Sequence, residues 1–417
     1  PMQWRAAAAA IVAASAGIGA VNAESAPADP GEATFRAIYK ELIEINTTRS
    51  VGDCTRAAEA MRQRLLAAGH PAGDMQILAP PEAPKDGALI VLRGKDRNLK
   101  PILLLAHIDV VEARREDWVR DPFKLVEEDG WFYARGASDD KAMAAIFTDS
   151  LIRYRQEGYL PRRDIKLALT CGEETAGAGF FDSVRWLVQT QPEVLAAEFV
   201  INEGAGGEYD ENGRPIVLQV QAGEKVYQDF KLEVTDPGGH SSLPKPGNAI
   251  VSLAEGLARL GAHQFPIALN PVTRAYFETM SKLVDPAVAA DMRAVLGTPP
   301  DEAAAKRLWA KNPLWNAMLR TTCIVSEIQG GHAPNAIPQH VQATVNCRIL
   351  PDTPVADVQA QIARVLADDS IRVSTKGEGG VQSPIPPLTE SILGPAREVA
   401  ERIWPGVTLV PMMLPGY

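Results

Sequence analysis

The sequence predicts an α/β fold: a mixed, mostly parallel sheet flanked by helices, with an α+β domain inserted into it. Two observations predict the first part. Leu103–Ala106, Ile165–Cys171 and Glu198–Asn202 are strand-like runs of largely apolar character, as expected of strands covered on both faces. Each gives way to polar, ligand-bearing residues: His107-Ile108-Asp109, Gly172-Glu173-Glu174-Thr175 and Glu203-Gly204. Open α/β sheets place their ligands at such carboxyl ends of parallel strands. A third observation predicts the insert. Val226–Thr235 alternates like a strand with one exposed face, Thr321–Gln329 and Val341–Leu350 read as two more strands, and Asn248–Ala262 and Val355–Ala367 read as helices. A length of 417 residues exceeds one typical domain and accommodates two.

Taken in order, the chain opens with a segment that stands apart from the fold. Arg5 supplies a positive charge, Ala6–Ala20 is apolar except for Ser15, Gly17 and Gly19, and Val21-Asn22-Ala23 offers small residues for cleavage. Residues 1–23 are therefore expected to be a signal peptide. A stable membrane anchor would need about 20 strongly apolar residues, and this stretch is Ala-rich. The mature chain is expected to be exported, periplasmic or secreted, with a short tail over Glu24–Ala33. Export permits disulfides, and Cys54, Cys171, Cys323 and Cys347 allow three complete pairings. Cys171 and Cys347 sit inside strand-like segments and read most simply as small buried hydrophobes. The net charge of −10 argues against a nucleic-acid partner, which needs a clustered basic surface.

His107 and Asp109 leave their strand on one side, because strand side chains alternate with period two. His is a common zinc ligand, and a carboxylate behind it can fix its tautomer and ring orientation. Alone, the pair would read as a buried, hydrogen-bonded His. Trp131–Lys141 ends a strand-like stretch in Gly136, Asp139 and Asp140, and Ala142–Tyr154 reads as a helix, which puts both carboxylates at a strand-to-helix junction. Alone, they would read as an N-cap. Glu173 and Glu174 are consecutive and point in different directions, so one can bind metal while the other faces substrate. With Glu203, these strand ends imply an oxygen-rich, nitrogen-poor site suited to two zinc-like ions.

In this order, His-x-Asp, Gly-Ala-Ser-Asp-Asp-Lys, Gly-Glu-Glu-Thr and Asn-Glu-Gly resemble the M20 family of metallopeptidases and amidohydrolases, over nearly all of residues 35–417. The resemblance implies a zinc-dependent hydrolase of amide bonds that releases an amino acid from a short peptide or an N-acyl amino acid. It implies that His107 and Glu203 hold one ion and Glu174 the other, that Asp139 bridges both, that Asp109 orients His107, and that Glu173 is the general base. It also implies a cis peptide between Asp139 and Asp140. The alternative is a catalytically impaired or non-catalytic, ligand-binding member of the same fold. Retention of both Glu173 and Glu174 argues against it, because a binding module needs no base.

The insert, taken as 226–377, resembles the family's lid, which in many relatives also forms the interface of a homodimer. The catalytic domain is then 24–225 with 378–417. His240, in Asp236-Pro-Gly-Gly-His-Ser-Ser, matches the lid His that resembles an oxyanion donor. Asn335 and Arg348 match positions that bind the substrate's carboxylate, which suits the planar fork of an Arg. If Arg348 faces the cleft, Cys347 faces the lid's helices. With an open lid, closure or a second subunit's His240 would complete the site. The longer stretch Asn270–Leu319, with Asn312-Pro-Leu-Trp, Leu319-Arg-Thr-Thr and Asn335-Ala-Ile-Pro, resembles the carboxypeptidase S-like branch.

The chain returns with a helix over Glu390–Ile403 and a strand over Val407–Met412. M20 relatives complete the second metal site with a His from the last part of the catalytic domain, but the six histidines here (His70, His107, His240, His263, His332, His340) all precede it. The resemblance therefore implies a C-terminally truncated product. Its first ion keeps His107, Asp139 and Glu203, its second keeps only Asp139 and Glu174, and it should hold about one zinc tightly.

Overall fold

A computed structural model describes residues 31–91, 98–175, 181–377, 379–382 and 384–416. The expected signal peptide and Tyr417 lie outside the described residues. The chain divides into two compact units, Pro1–Glu203 and Gly204–Tyr417.

The first unit begins with α1 (Glu32–Glu44), α2 (Cys54–Ala67), β1 (Met75–Leu78), β2 (Ala88–Val91) and β3 (Ile102–His107). There follow a hairpin of β4 (Val126–Glu128) and β5 (Trp131–Tyr133), then α3 (Lys141–Gln156), β6 (Ile165–Thr170), α4 (Ser183–Thr190), α5 (Pro192–Leu195) and β7 (Phe199–Ile201). The sheet has the order β1-β2-β6-β3-β7. β6, β3 and β7 are parallel, whereas β1 and β2 add on antiparallel at one edge. Alternation along β3 explains its continuous apolar run: Leu104 and Ala106 pack in a core with α1, α2 and α3, while Leu103 packs on the other face with Leu187 of α4. The register sets His107 opposite Thr170, so β3 and β6 deliver their carboxyl ends to the same edge. Asp53 and Asp182 start α2 and α4 by accepting hydrogen bonds from first-turn N–H groups.

One expectation is corrected. β5 does not join this sheet. It is three residues long with Trp131 exposed, too short and too wet for a strand covered on both faces, and it pairs only with β4. Asp139 and Asp140 therefore come from the loop between a hairpin and α3, and three sheet strands, rather than four, present the remaining groups.

The second unit contains β8 (Gly207–Tyr209), β9 (Pro215–Glu224), β10 (Val226–Thr235), β11 (Gly239–His240) and α6 (Ala249–Ala262). Next come α7 (Pro271–Met280), α8 (Pro286–Ala294), α9 (Glu302–Lys311), α10 (Pro313–Leu319), β12 (Thr322–Gly330), β13 (Ala336–Ile337), β14 (His340–Ile349), α11 (Val355–Leu366), β15 (Arg372–Lys376), α12 (Glu390–Ile403) and β16 (Thr408–Leu414). An antiparallel sheet, β12-β14-β10-β15, carries α6 and α11 on one face, with Phe230, Leu232 and Val345 against Leu253, Ile362 and Leu366. This sheet with its two helices has the antiparallel form that the periodicity predicts, whereas α7 to α10, within the same stretch of sequence, pack in a separate core. The same unit also holds 204–225 and the C-terminal segment: β16 runs parallel to β9, and Val217, Val410 and Met413 form a core with helices α7 to α10.

The cysteines pair as Cys54–Cys171 and Cys323–Cys347. The expectation of Cys171 and Cys347 as buried residues holds, at 5% and 0% exposed, but they are half-cystines rather than lone hydrophobes. Cys347 packs in the sheet–helix core of the second unit while its neighbour Arg348 stacks on the Tyr227 ring, 4.8 Å from its centroid.

Candidate metal centre

His107 is the last residue of β3 and is 3% exposed. Its Nε2 lies 2.8 Å from Asp139 Oδ1 and 3.6 Å from Glu203 Oε1. Its Nδ1 lies 3.1 Å from the backbone carbonyl of Asp109 and 3.6 Å from that residue's carboxylate. The main-chain carbonyl of Asp109 thus lies closer to the imidazole than its carboxylate does. The Asp109 side chain has a second task, accepting the N–H groups of Glu173 at 3.4 Å and Glu174 at 3.1 Å. It couples the end of β3 to the turn after β6.

Two groups of ligand-type atoms converge here, with all atoms in each within 4.8 Å of one another: His107 with Asp139 and Glu174, and His107 with Asp140 and Glu203. The peptide between Asp139 and Asp140 is cis. Asp140 stands at the N-cap position of α3 without making a side-chain capping bond. It is 2% exposed, and its Oδ2 has no hydrogen-bond partner. Asp140 was assigned no role of its own from its motif; its doubling with Asp139 was the available signal.

The electrostatics are those of a site short of positive charge. Burial, with Glu203 and Asp139 nearby, pushes the Asp140 carboxyl up to about 7. Burial likewise pushes Glu173 up to about 7, and Glu174 is raised by burial and Asp139. Burial opposes charge on His107, but the Asp109 and Glu203 carboxylates outweigh it and hold the imidazolium up to about 12. Lys141, fully buried at the start of α3, donates to the Ile45 carbonyl at 2.7 Å, and burial lowers it to about 7. One imidazole among hard carboxylate oxygens, one of them buried and unpartnered, is a donor set that fits zinc-like divalent cations.

In the second unit, His240 and Asn335 come together. β11 pairs with β13, setting His240 opposite Ala336, and Ser241 N–H donates to the Asn335 carbonyl at 2.9 Å. Both residues are exposed, and His240 Nδ1 is 2.7 Å from Ser242 Oγ. This ribbon continues past the end of the sheet where Thr235 faces His340, whereas Arg348 faces Tyr227 near the other end. Seven strand residues lie between His340 and Arg348, which puts the two about 26 Å of extended chain apart. The expected joint grip of Asn335 and Arg348 on one carboxylate is therefore not assembled within a single chain.

A sheet that presents His and carboxylates from parallel strand ends, followed in the chain by an antiparallel sheet with two helices on one face, defines an α/β protein with a candidate dinuclear metal centre. The model of peptidase family M20/M25/M40 matches residues 103–417, and the chain belongs to that family. It is 30% identical over 328 residues to an N-fatty-acyl-amino acid synthase/hydrolase of Homo sapiens, covering 77% of this chain and 64% of that protein. A probable carboxypeptidase S-like protein of Dictyostelium discoideum is 28% identical, over 77% of this chain and 62% of its own. The chain thus spans somewhat under two thirds of these relatives. Among solved structures, an M20 family metallo-carboxypeptidase of Sulfolobus solfataricus shares the fold at 19% identity, with a TM-score of 0.60 over 93% of this chain and 86% of that one. A dinuclear metal binding M20 peptidase of Bacillus subtilis does so at 13% identity, with a TM-score of 0.55 over 93% and 83%. Among the described residues, no helix is long and apolar enough to cross a membrane.

Proposed function

We propose that this chain is an exported, zinc-dependent hydrolase of amide bonds that releases an amino acid from an N-acyl amino acid or a short peptide. One observation carries the reading: Asp139, Glu174, Glu203 and Asp140, one of whose oxygens has no partner among the described residues, converge on the buried His107. In it, His107, Asp139 and Glu203 hold one ion, and Asp139 and Glu174 contribute to a second. Zinc, when bound, supplies Lewis acidity for the scissile carbonyl and the attacking water. Asp109 fixes the imidazole and the glutamate turn together. Glu173, pushed up to about 7 by burial, takes the proton of the water and hands it to the departing amine. His240 donates to the developing oxyanion, and Arg348 binds the free carboxylate of the leaving amino acid. The separation of His240 and Asn335 from Arg348 supports a homodimer in which the lid of a second copy delivers His240. The open edge of β12, with Ile324 and Ile328 exposed, is the surface offered for that association. The names of the relatives support N-acyl amino acids and peptides as substrates.

A panel of N-acyl amino acids and dipeptides, incubated with zinc and assayed for free amino acid, tests this. Glu173→Gln should lower turnover by about 10²- to 10⁴-fold while zinc binding persists. Undiminished turnover in that variant would remove Glu173 from its role, and no release from any substrate would reject the hydrolase.

A further inference from the structure

Two candidate functional carboxylates, Glu173 and Glu174, stand on a turn outside the sheet. β6 ends at Thr170, and Gly172 then adopts φ +94°, so close to the neighbouring chain that a Cβ there would lie 2.2 Å from the Phe181 carbonyl oxygen. On the side of the metal strand, this turn is held by the long hydrogen bonds of the Glu173 and Glu174 N–H groups to Asp109. On its other flank, Cys171 exchanges hydrogen bonds with Ser183, at 2.8 and 2.9 Å, and is covalently joined to Cys54, 117 residues away in sequence. Cys54 opens α2, whose Ala57, Ala58, Met61 and Leu65 are all 0% exposed. The turn is thereby tied to one of the most deeply packed helices of its unit. Between the disulfide and Asp109 lies a cavity of about 20 Å³, lined by Thr48, Cys54, Asp109, Cys171, Gly172 and Thr175. That is room for about one water molecule. Side chains that leave such a gap cannot hold the turn by packing across it.

We infer that the Cys54–Cys171 disulfide is a positioning element of the metal centre, presenting Glu173 and Glu174 to the cation already ordered. The inference rests on the metal-hydrolase reading above. Without the covalent tie, the turn is held among the described residues by its hydrogen bonds to Asp109, Ser183 and the Val111 N–H, and binding must supply the ordering that the disulfide now provides. Cys323–Cys347 supplies an internal control. It joins residues directly opposite on β12 and β14, in the unit whose described residues include no candidate metal ligand.

Zinc titration against a chromophoric chelator is run on the wild type, C54A/C171A and C323A/C347A, with amide hydrogen exchange read over residues 171–175. C54A/C171A is expected to weaken zinc binding about tenfold or more, the scale of losing a ligand-orienting partner, and to speed exchange at Glu173 and Glu174. C323A/C347A should leave zinc affinity within twofold while lowering the melting temperature of its own unit. Wild-type affinity and exchange in C54A/C171A, or equal losses in both variants, would overturn the inference. Should C54A/C171A fail to fold, wild type is reduced with a phosphine, freed of reagent and mapped by alkylation. The phosphine takes the oxygen of one water, and that water's two hydrogens become the two thiols. Unchanged zinc affinity with Cys54 and Cys171 free would then overturn it. If wild type binds no zinc, the metal reading fails instead, and exchange at Glu173 and Glu174 decides the positioning claim alone.

Discussion

Buried charge is handled in opposite ways in the two units. Lys225 of the second unit is 3% exposed, yet its ammonium reaches the Ala317 and Arg320 carbonyls at 2.9 Å and Thr322 Oγ1 at 2.8 Å. Burial and the nearby Arg348 lower it to about 7, and its three donors are all used in closing the end of α10. In the first unit, Asp140 is equally buried, but one oxygen has no partner and its neighbours are further carboxylates. Both are buried ionisable groups with shifted pKa values. The difference lies in satisfaction: a saturated group holds structure, whereas a cluster in which carboxylates outnumber the single imidazole, and one oxygen lacks a partner, offers itself to a cation.

Four measurements would break or sharpen that contrast. The largest effect is expected of His107→Ala, which removes the imidazole on which the carboxylates converge. Zinc affinity should fall by more than the roughly 10- to 100-fold typical of losing an outer-shell partner, and amide hydrolysis should drop to background; isothermal titration showing undiminished binding would contradict the site. Phe230→Ala, in the sheet–helix core of the second unit, should cost about 3–5 kcal/mol in stability. Calorimetry should find that loss in one transition while zinc still binds the first unit, and loss of both together would show that the units are not energetically separate. Arg348→Ala should raise KM roughly ten- to hundredfold with kcat less affected, matching about 1.5–3 kcal/mol for hydrogen bonds to a charged group. An unchanged KM would make Arg348 a structural stack on Tyr227.

The smallest effect concerns Glu233. Arg372, then Lys231 and His340, hold its carboxyl well down, to about 2. A depressed carboxyl stabilises the fold above its unfolded pKa of about 4.3, and that contribution fades as pH falls from there through about 2. Exposed ion pairs are screened, so Glu233→Gln should cost under about 1 kcal/mol at neutral pH. The melting difference from wild type should vanish near pH 2. A difference that grows on acidification would reverse the sign.

The sequence was most legible where one residue type dictated one geometry. Continuous apolar runs located β3 and β6, alternation located β10, and the residues that follow the first two located His107, Glu173 and Glu174. Helix α3 differs from its predicted span by one residue at its start and two at its end. Legibility failed where tertiary pairing decided the outcome. Trp131–Tyr133 carries strand-forming residues, and only the absence of a sheet neighbour makes it half of an isolated hairpin. β9 falls in a stretch for which no strand was expected, since its register depends on β16, far away in sequence. The elements of 31–91 end in no metal-ligand motif, so nothing in them called attention to α2 as the anchor of the glutamate turn. Disulfide partners were equally invisible, because four cysteines in strand and helix segments fix no distance between them.

The parallel pairing of β16 with β9 also sets an order of events in time. Thr408–Leu414 aligns with Val217–Glu224, and both strands contribute to the core that α7 to α10 cover. Every strand of the first unit's sheet, and both halves of its disulfide, leave the ribosome before residue 204. Domains fold as units, N-terminal first, at about 5–20 residues per second of synthesis. The first unit can therefore close its sheet early, and protease protection of stalled nascent chains should appear once its last strand has emerged. The second must keep β9 without its parallel partner for almost two hundred further residues, with the core around Val217 incomplete until Val410 and Met412 arrive. During synthesis, this long-waiting strand is where the chain is most open to mispairing with another copy.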